Sequence, residues 1–270
     1  MIVSVANQKG GVGKSTTAHA MGAALHQKYS ESISKTTAHA MGAALRKPKT
    51  RLLFIDLDSQ GNLTYALGGK TSPALLDMLL GRQGAEQAIQ KVPGGDLIAS
   101  SPALSGADLL LNMTGKEYRL KEALAPIQAN YDWIVIDTPP SLGVLTVNAL
   151  TASDWLVIPA QADVYSLQGI AQLGKTIDAV RQYCNKDLII KGILLTRYNR
   201  RSVLSKDMAA MIEETAKALG TKLFSTKIRE NVALKEAQAR QQDIFTYSRK
   251  SNGSMDYMKF AIELTREVRQ

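Results

Sequence analysis

The chain has 270 residues, of which 45% are hydrophobic, and its formal net charge is +9. This composition supports a full α/β core and excludes a disordered chain. The single cysteine, Cys184, excludes an intrachain disulfide and cannot by itself hold an iron–sulfur cluster.

The chain begins with a strand pattern rather than a signal peptide, and no apolar run approaches the ~18 residues of a membrane-spanning helix. We therefore expect a cytoplasmic protein that forms one domain over residues 1–270, with no membrane partner. Its positive charge suits a polyanion, either a nucleic acid or an acidic membrane face.

A glycine-rich segment, QKGGVGKST at residues 8–16, follows the apolar run 2–6 and leads into an alanine-rich helical pattern. Such a turn between a strand and a helix directs backbone N–H groups at phosphate oxygens. In this pattern Lys14 reaches the β- and γ-phosphates, and the Ser15 hydroxyl binds Mg²⁺. The candidate nucleotide-binding residues are Gly10, Gly11, Val12, Gly13, Lys14, Ser15 and Thr16. Gln8 replaces the usual first glycine and Lys9 is an additional lysine, which makes this a deviant Walker A motif.

The ten residues TTAHAMGAAL occur twice, at 16–25 and again at 36–45. Only the first copy adjoins the glycines, so we expect the duplicated segment, about 26–45, to be an insertion after the phosphate-loop helix with no role at the nucleotide. We predict a connection over residues 26–34, after which the second copy folds back as a short helix ending before Pro48. We expect His19 and His39 to be helical surface residues rather than metal ligands.

Two further apolar runs end in carboxylates. Residues 51–58 read RLLFIDLD, and residues 133–137 read WIVID in the manner of a Walker B strand. Acids at the carboxyl end of a strand point into the crevice where α/β sheets bind ligands. We therefore place Asp56 and Asp137 with Ser15 as candidate Mg²⁺ residues. The alternative for each aspartate is a cap on the following turn.

The rest of the chain alternates strands and helices. Strands are predicted at 155–159 and 188–196, with a short candidate at 97–100, and helices at 142–152, 168–183, 202–219, 231–239 and 254–268. This alternation predicts an α/β fold with a mainly parallel twisted sheet and helices on both faces, of the P-loop NTPase type. Trp133 and Trp155 are expected in the core.

Several motifs in fixed order resemble the ParA family of partition ATPases, also called Soj-like. They are KGGVGKSTT, LLFIDLDSQGNLT, IVIDTPPSLGVLTVNAL, VIPAQADVYSLQGI, GILLTRYNRRS and KIRENVALKEA. The resemblance covers nearly the whole chain. It departs from the family at the twenty-residue insertion, at Ser59, where the family usually has proline, and at Glu230. None of these departures removes a catalytic group.

The resemblance implies an ATPase with three catalytic residues. Lys9 matches the signature lysine that reaches the partner's phosphates in an ATP-bound homodimer, Lys14 the Walker lysine, and Asp58 the acid that orients the attacking water. The cofactors implied are ATP and Mg²⁺.

The same resemblance implies two further partners. Dimers of relatives bind DNA without regard to sequence, and the candidate DNA-binding residues are Arg197, Arg200, Arg201 and Arg229. A ParB-like, centromere-bound protein is expected to stimulate hydrolysis. The protein would then serve plasmid or chromosome partition and associate with the nucleoid.

Three alternatives must be weighed at this stage. A MinD-like membrane-surface ATPase needs an amphipathic C-terminal helix, for which Phe260, Ile262, Leu264 and Val268 are candidates. An orphan member of the family would position another cargo on the nucleoid. A reductase similar to the nitrogenase iron protein needs cluster cysteines that this chain lacks.

Overall fold

The computed structural model describes residues 1–37 and 50–266. The strands are β1 (Ile2–Val5), β2 (Leu52–Asp56), β3 (Ile89–Val92), β4 (Gly95–Ile98), β5 (Trp133–Asp137), β6 (Trp155–Ala160) and β7 (Ile189–Leu195). In this described part they form one seven-stranded sheet in the order β3-β4-β2-β5-β1-β6-β7. Every neighbouring pair is parallel except β3 with β4.

The α-helices of the described residues occur between and after these strands. They are α1 (Lys14–Thr37), α2 (Asn62–Ala66), α3 (Ala74–Leu79), α4 (Ala85–Ala88), α5 (Ala107–Leu110), α6 (Arg119–Leu124), α7 (Val144–Ala152), α8 (Val164–Tyr183), α9 (Val203–Ala218), α10 (Val232–Ala239), α11 (Ile244–Ser248) and α12 (Asn252–Leu264). Short 3₁₀ helices occur at Pro102–Gly106, Lys116–Tyr118 and Gln128–Asn130.

Successive side chains of β2 alternate between the two faces of the sheet, so this strand contributes to two core clusters. Leu52 and Phe54 pack in one cluster with residues of α1 and α12, whereas Leu53 and Ile55 pack in another cluster with residues of α3, α6 and α7. All four side chains are buried. A parallel strand covered on both faces reads as a continuous apolar run, and for this reason the sequence pattern predicts it well.

The predicted α/β fold is confirmed, since the strands at 2–6, 51–58, 133–137, 155–159 and 188–196 all form. The candidate at 97–100 is β4, shifted by two residues. The pattern misses β3, an antiparallel edge strand whose partly exposed residues IQKV carry a weak apolar signal. It also misses α2 and α11, two helices of five residues each.

Two expectations on the first helix are wrong. Residues 26–34 form no connection, because HQKYSESIS contains neither glycine nor proline and α1 continues through it to Thr37. The rest of the second copy, including His39, lies outside the described residues. His19 is not on the surface but 6% exposed, and its ring packs edge-on to Phe54 at 6.3 Å between centroids.

The topology assembles the functional loops at one edge of the sheet. The strand β1 lies between β5 and β6, and because all three are parallel, the segments that follow them leave the sheet at the same edge. The segment after β2 joins them through the pairing of β2 with β5. This carboxyl edge is where open α/β sheets bind ligands.

Candidate nucleotide-binding site

The phosphate loop, residues 8–16, connects β1 to the start of α1. Gly11 and Gly13 have φ values of 73° and 85°, in the left-handed region that side chains other than glycine rarely adopt. The helix begins at once, because the Thr17 N–H donates to the Gly13 carbonyl at 2.8 Å. The seven candidate nucleotide-binding residues therefore share one loop and first helical turn, where N–H groups and the helix dipole favour phosphate.

Side chains at the carboxyl ends of β6 and β7 hold this loop. The Thr196 hydroxyl, at the end of β7, donates to the Val12 carbonyl at 2.8 Å. The Gln161 amide, at the end of β6, donates to the Gly11 carbonyl at 3.0 Å. The sequence analysis missed both residues. The sequence signal for both residues was a polar side chain directly after an apolar strand, in QAD at 161–163 and in LTR at 195–197.

A third support comes from helix α8, which packs closely on the start of the loop. A Cβ atom at Gly169 would lie 2.9 Å from the Asn7 Oδ1 atom, so a larger residue there would push the loop away. The Asn7 amide group donates to the Pro159 carbonyl at 2.8 Å, and its oxygen accepts from the Lys9 N–H at 3.1 Å. Asn7 thus ties the loop to β6.

Asp56 and Asp137 are paired neighbours on β2 and β5. The Asp56 carboxylate is fully buried and accepts from the Thr64 N–H and hydroxyl, both at 2.8 Å, and from the Asp58 N–H at 3.2 Å. Burial raises the pKa of Asp56 to about 6, although these hydrogen bonds oppose the rise. Both Asp56 oxygens therefore hold protein groups, and any contribution to a metal ion would pass through water.

The Asp137 carboxylate is fully buried, and neither oxygen has a hydrogen-bond partner among the described residues. Burial, followed by the nearby Asp56 charge, raises the pKa of Asp137 well above its ordinary value. The nearby Ser15 hydroxyl opposes this rise. Buried carboxylates without partners are rare unless they serve a ligand. A hydroxyl and a free carboxylate are hard oxygen donors, so Ser15 and Asp137 fit Mg²⁺.

Lys14 is 6% exposed and donates to the Lys9 carbonyl at 3.2 Å. Burial lowers the pKa of Lys14, while the charges of Asp137 and Asp58 act in the opposite direction. Asp58 is 8% exposed and accepts from the Gln60 N–H at 3.1 Å. The structure therefore brings Lys14, Asp58 and Asp137 into one electrostatic cluster beside the loop.

Lys9 points to a different group, the Asp163 carboxylate at the start of α8. The two side chains form an ion pair, and the other Asp163 oxygen caps α8 by accepting from the Ser166 N–H at 2.8 Å. Burial alone would raise the pKa of Asp163, but the hydrogen bonds from Lys9 and Ser166 outweigh it and hold the pKa below its ordinary value. Sequence analysis did not identify Asp163 as part of the site.

The C-terminal helices reach the first turn of α1. The Gln238 amide of α10 donates to the Thr16 hydroxyl at 3.0 Å, and the Tyr257 hydroxyl of α12 lies 3.1 Å from that of Thr17. A cavity opens between this turn and the segment before α10, and its lining includes Gly13 and Asn231. The cavity measures about 60 Å³, which is smaller than a nucleoside, but it adjoins the phosphate loop on the side where the nucleoside part of a bound nucleotide would extend.

The candidate DNA-binding arginines occupy two adjoining loops. Arg197, Arg200 and Arg201 are exposed after β7, and Arg197 has a φ of 49°, which is uncommon for a residue with a side chain. An isolated β-bridge between Tyr198 and Arg229 joins this loop to the second one. Arg229 is held in an ion pair with the Asp256 carboxylate, and among the residues that the structure describes the other three arginines have no such pair.

The arrangement can bind a nucleoside triphosphate, neutralise its phosphates with Lys14, hold Mg²⁺ with Ser15 and Asp137, and orient water with Asp58. These are the parts that phosphoryl transfer to water requires. Fold and site together define a magnesium-dependent P-loop ATPase.

Comparison with known proteins agrees with this class. A family model described as an AAA domain matches residues 31–190. The chain is 38% identical to the sporulation initiation inhibitor protein Soj of Bacillus subtilis, over 97% of each chain. It is also 38% identical to the chromosome partitioning protein ParA of Caulobacter vibrioides, over 97% of this chain and 93% of the relative. The chain belongs to the ParA/Soj family of ATPases.

A solved structure carries the same fold with the cofactors bound. Cobyrinic acid a,c-diamide synthase from Mycobacterium smegmatis, with ADP and magnesium, superposes with a TM-score of 0.79 at 32% identity, over 100% of this chain and 95% of the other. The same protein is known with an ATP analogue and magnesium. The nucleotide and magnesium bound to that protein are the groups that the phosphate loop, Ser15 and Asp137 of the present chain fit.

Proposed function

We propose that this ATPase partitions plasmid or chromosomal DNA as an ATP-bound homodimer that binds DNA without regard to sequence, and that a ParB-like partner stimulates its hydrolysis. Its family membership supports this proposal, since a relative with 38% identity is a chromosome partitioning protein. Within this cycle Lys9 acts in trans on the partner's phosphates, which makes hydrolysis depend on dimerisation. The charge of a lysine supplied in trans then acts like that of an arginine finger.

One contact connects the phosphate loop, which would bind ATP, with the basic loop, which would bind DNA. The Thr196 hydroxyl donates to the Val12 carbonyl of the phosphate loop, and Arg197 follows it directly at the start of the exposed basic loop. A change in the phosphate loop on nucleotide binding therefore acts on the loop that carries Arg200 and Arg201. Binding through these arginines would be dominated by DNA phosphates, so it would be independent of sequence and sensitive to salt.

The C-terminal helix supports DNA rather than a membrane surface as the target. Phe260 and Leu264 are fully buried in the core cluster that α12 shares with α1, and the exposed fraction of Ile262 is 39%. Phe260 and Leu264 therefore stabilise the fold and are not free to bind a membrane surface. Val268 lies outside the described residues. Within the described ranges, no helix is long and apolar enough to cross a bilayer.

The test is DNA binding with ATP or ADP, with Arg200→Ala compared with Lys186→Ala. Lys186 is an exposed cation at the opposite end of β7, so its loss matches the charge change without touching the basic loop. We expect tight binding of unrelated DNA sequences with ATP only, and a log–log salt slope of about −0.9 per phosphate neutralised. Arg200→Ala should weaken binding and flatten the slope by about one unit, and Lys186→Ala should leave both unchanged.

Equal effects of the two variants would refute this DNA surface. Flotation with anionic vesicles in ATP, without DNA binding, would instead favour the membrane alternative. Stimulation of ATP hydrolysis by a co-purified, centromere-bound partner would support the partition role, and recovery of a different cargo would support the orphan role.

A further inference from the structure

Asp256, on α12, accepts three hydrogen bonds from Arg229, which lies in the segment before α10. Its carboxylate accepts from the Arg229 N–H at 3.1 Å, from the Arg229 Nε atom at 2.9 Å and from the Arg229 Nη2 atom at 2.7 Å. The Asp256 side chain is 6% exposed and that of Arg229 is 34% exposed. A bidentate pair with a buried carboxylate fixes both the position and the orientation of the guanidinium.

The segment held in this way forms one wall of the cavity beside the phosphate loop. Residues 228–231 line that wall, and Gly13 and Thr16 line the opposite one. The next residue of α12, Tyr257, also lines the cavity and reaches Thr17 of α1. Two neighbouring residues of one helix thus hold the two walls, Asp256 through Arg229 and Tyr257 through the first turn of α1.

We infer that the Arg229–Asp256 pair positions the wall that receives the nucleoside half of ATP, so that Arg229 acts on nucleotide affinity as a positioning residue. This inference rests on the proposed ATP site, but not on DNA binding or partition. A buried aspartate that clamps both the backbone and the side chain of one residue makes that wall rigid before the ligand arrives. Preorganisation of this kind lowers the entropy cost of binding.

A substitution can separate a DNA contact of Arg229 from its hydrogen bonds to Asp256. A DNA contact needs only a cation near the surface, which lysine supplies as well. The clamp needs the planar fork of arginine, because lysine cannot donate two parallel hydrogen bonds to one carboxylate. Arg229→Lys therefore removes the two guanidinium hydrogen bonds of the clamp and keeps the charge.

The experiment compares Mg²⁺-ATP with inorganic triphosphate by calorimetric titration of Asp256→Asn and Arg229→Lys. Triphosphate engages the phosphate loop alone, whereas ATP also occupies the cavity. We expect the Kd for ATP to rise about tenfold in both variants, in line with the loss of a charged hydrogen bond, and the Kd for triphosphate to change less than about twofold. With ATP at saturating concentration for both proteins, DNA binding by Arg229→Lys should match that of the wild type.

Glu263→Gln is the matched control, since Glu263 lies on the same helix and accepts from the N–H groups of Ser225 and Thr226 at 2.8 and 2.9 Å, away from the cavity. It should leave both dissociation constants unchanged. Melting temperatures verify that each variant is folded. An unchanged Kd for ATP in both clamp variants overturns the inference, and so does an equal weakening of ATP and triphosphate. Failure of the wild type to bind DNA would refute the proposed function alone and leave this test intact.

Discussion

The ammonium of Lys9 is ion-paired with the carboxylate of Asp163 in the same chain. The proposed trans role of Lys9 requires this side chain to reach the phosphates of a second copy, and it cannot do so while it stays on Asp163. In the proposed cycle, formation of the dimer must therefore break the ion pair between Lys9 and Asp163. Both partners are partly exposed, at 22% and 32%, so the pair contributes about 1 kcal/mol or less.

Asp163→Asn should make ATP-dependent dimerisation easier. Asparagine is a good N-cap and keeps α8 intact, while the charge that retains Lys9 is lost. Because each dimer would break two such pairs, we expect the ATP-bound dimer to form at a protein concentration lower by up to about thirtyfold, measured by sedimentation velocity. Lys9→Ala in the same assay should form no closed dimer. A dimerisation constant that stays at the wild-type value in Asp163→Asn would show that the pair does not restrain Lys9.

Lys14 and Lys9 should fail at different steps of the cycle. Lys14→Ala removes the buried cation that faces the phosphates and should abolish ATP binding, whereas Lys9→Ala should bind ATP without hydrolysing it. Asp58→Ala should bind ATP and dimerise, because it removes only the group that orients water. Titration with a fluorescent ATP analogue and a phosphate-release assay separate these outcomes. Equal loss of ATP binding in the two lysine variants would contradict the trans role of Lys9.

Asp137 and Asp56 should differ in what they contribute. Asp137 has two buried oxygens without partners among the described residues, so Asp137→Ala should weaken the Mg²⁺ dependence of ATP binding and have little effect on folding. Asp56→Ala leaves the buried Thr64 N–H and hydroxyl unsatisfied and should cost about 1–3 kcal/mol of stability. Mg²⁺ titrations and urea unfolding measure the two effects. A larger stability loss in Asp137→Ala than in Asp56→Ala would reverse the assignment.

His19 should make the fold sensitive to acid. Burial lowers its pKa from 6.5 to about 4, so between these values the unfolded chain binds a proton that the folded chain does not. The stability that follows from this difference is present above pH 6.5 and is lost as the pH falls towards 4, by about 3 kcal/mol in all. His19→Gln should remove this slope in urea unfolding between pH 7 and 4.5. Asp56, whose raised pKa acts in the opposite direction, is common to both proteins and cancels in the comparison.

Deletion of residues 26–45 should leave the nucleotide site intact. It joins Leu25 to Arg46 and so reproduces the junction that follows the second copy of the repeat. The phosphate loop and first turn of α1 are untouched, and their contacts to Thr196, Gln238 and Tyr257 remain. ATP affinity and dimerisation should match those of the full chain, with an equal or higher melting temperature. Loss of ATP binding in the deletion would mean that the duplicated segment has become part of the fold.

The sequence by itself determined the elements whose signal is local. Apolar runs identified the strands of the parallel sheet, and the glycines with Lys14 and Ser15 identified the phosphate loop. The acids at the ends of β2 and β5 were recognisable for the same reason, since a strand period and a motif lie within a few consecutive residues.

The tertiary structure decided the pairings between distant residues. The contacts of Lys9 with Asp163, of Val12 with Thr196 and of Arg229 with Asp256 each join two elements whose separation along the chain carries no sequence signal. The burial of His19 and the full use of the Asp56 oxygens by Thr64 and Asp58 belong to the same group. A side chain's partner and its exposure depend on which elements pack together, and that packing is a property of the whole fold.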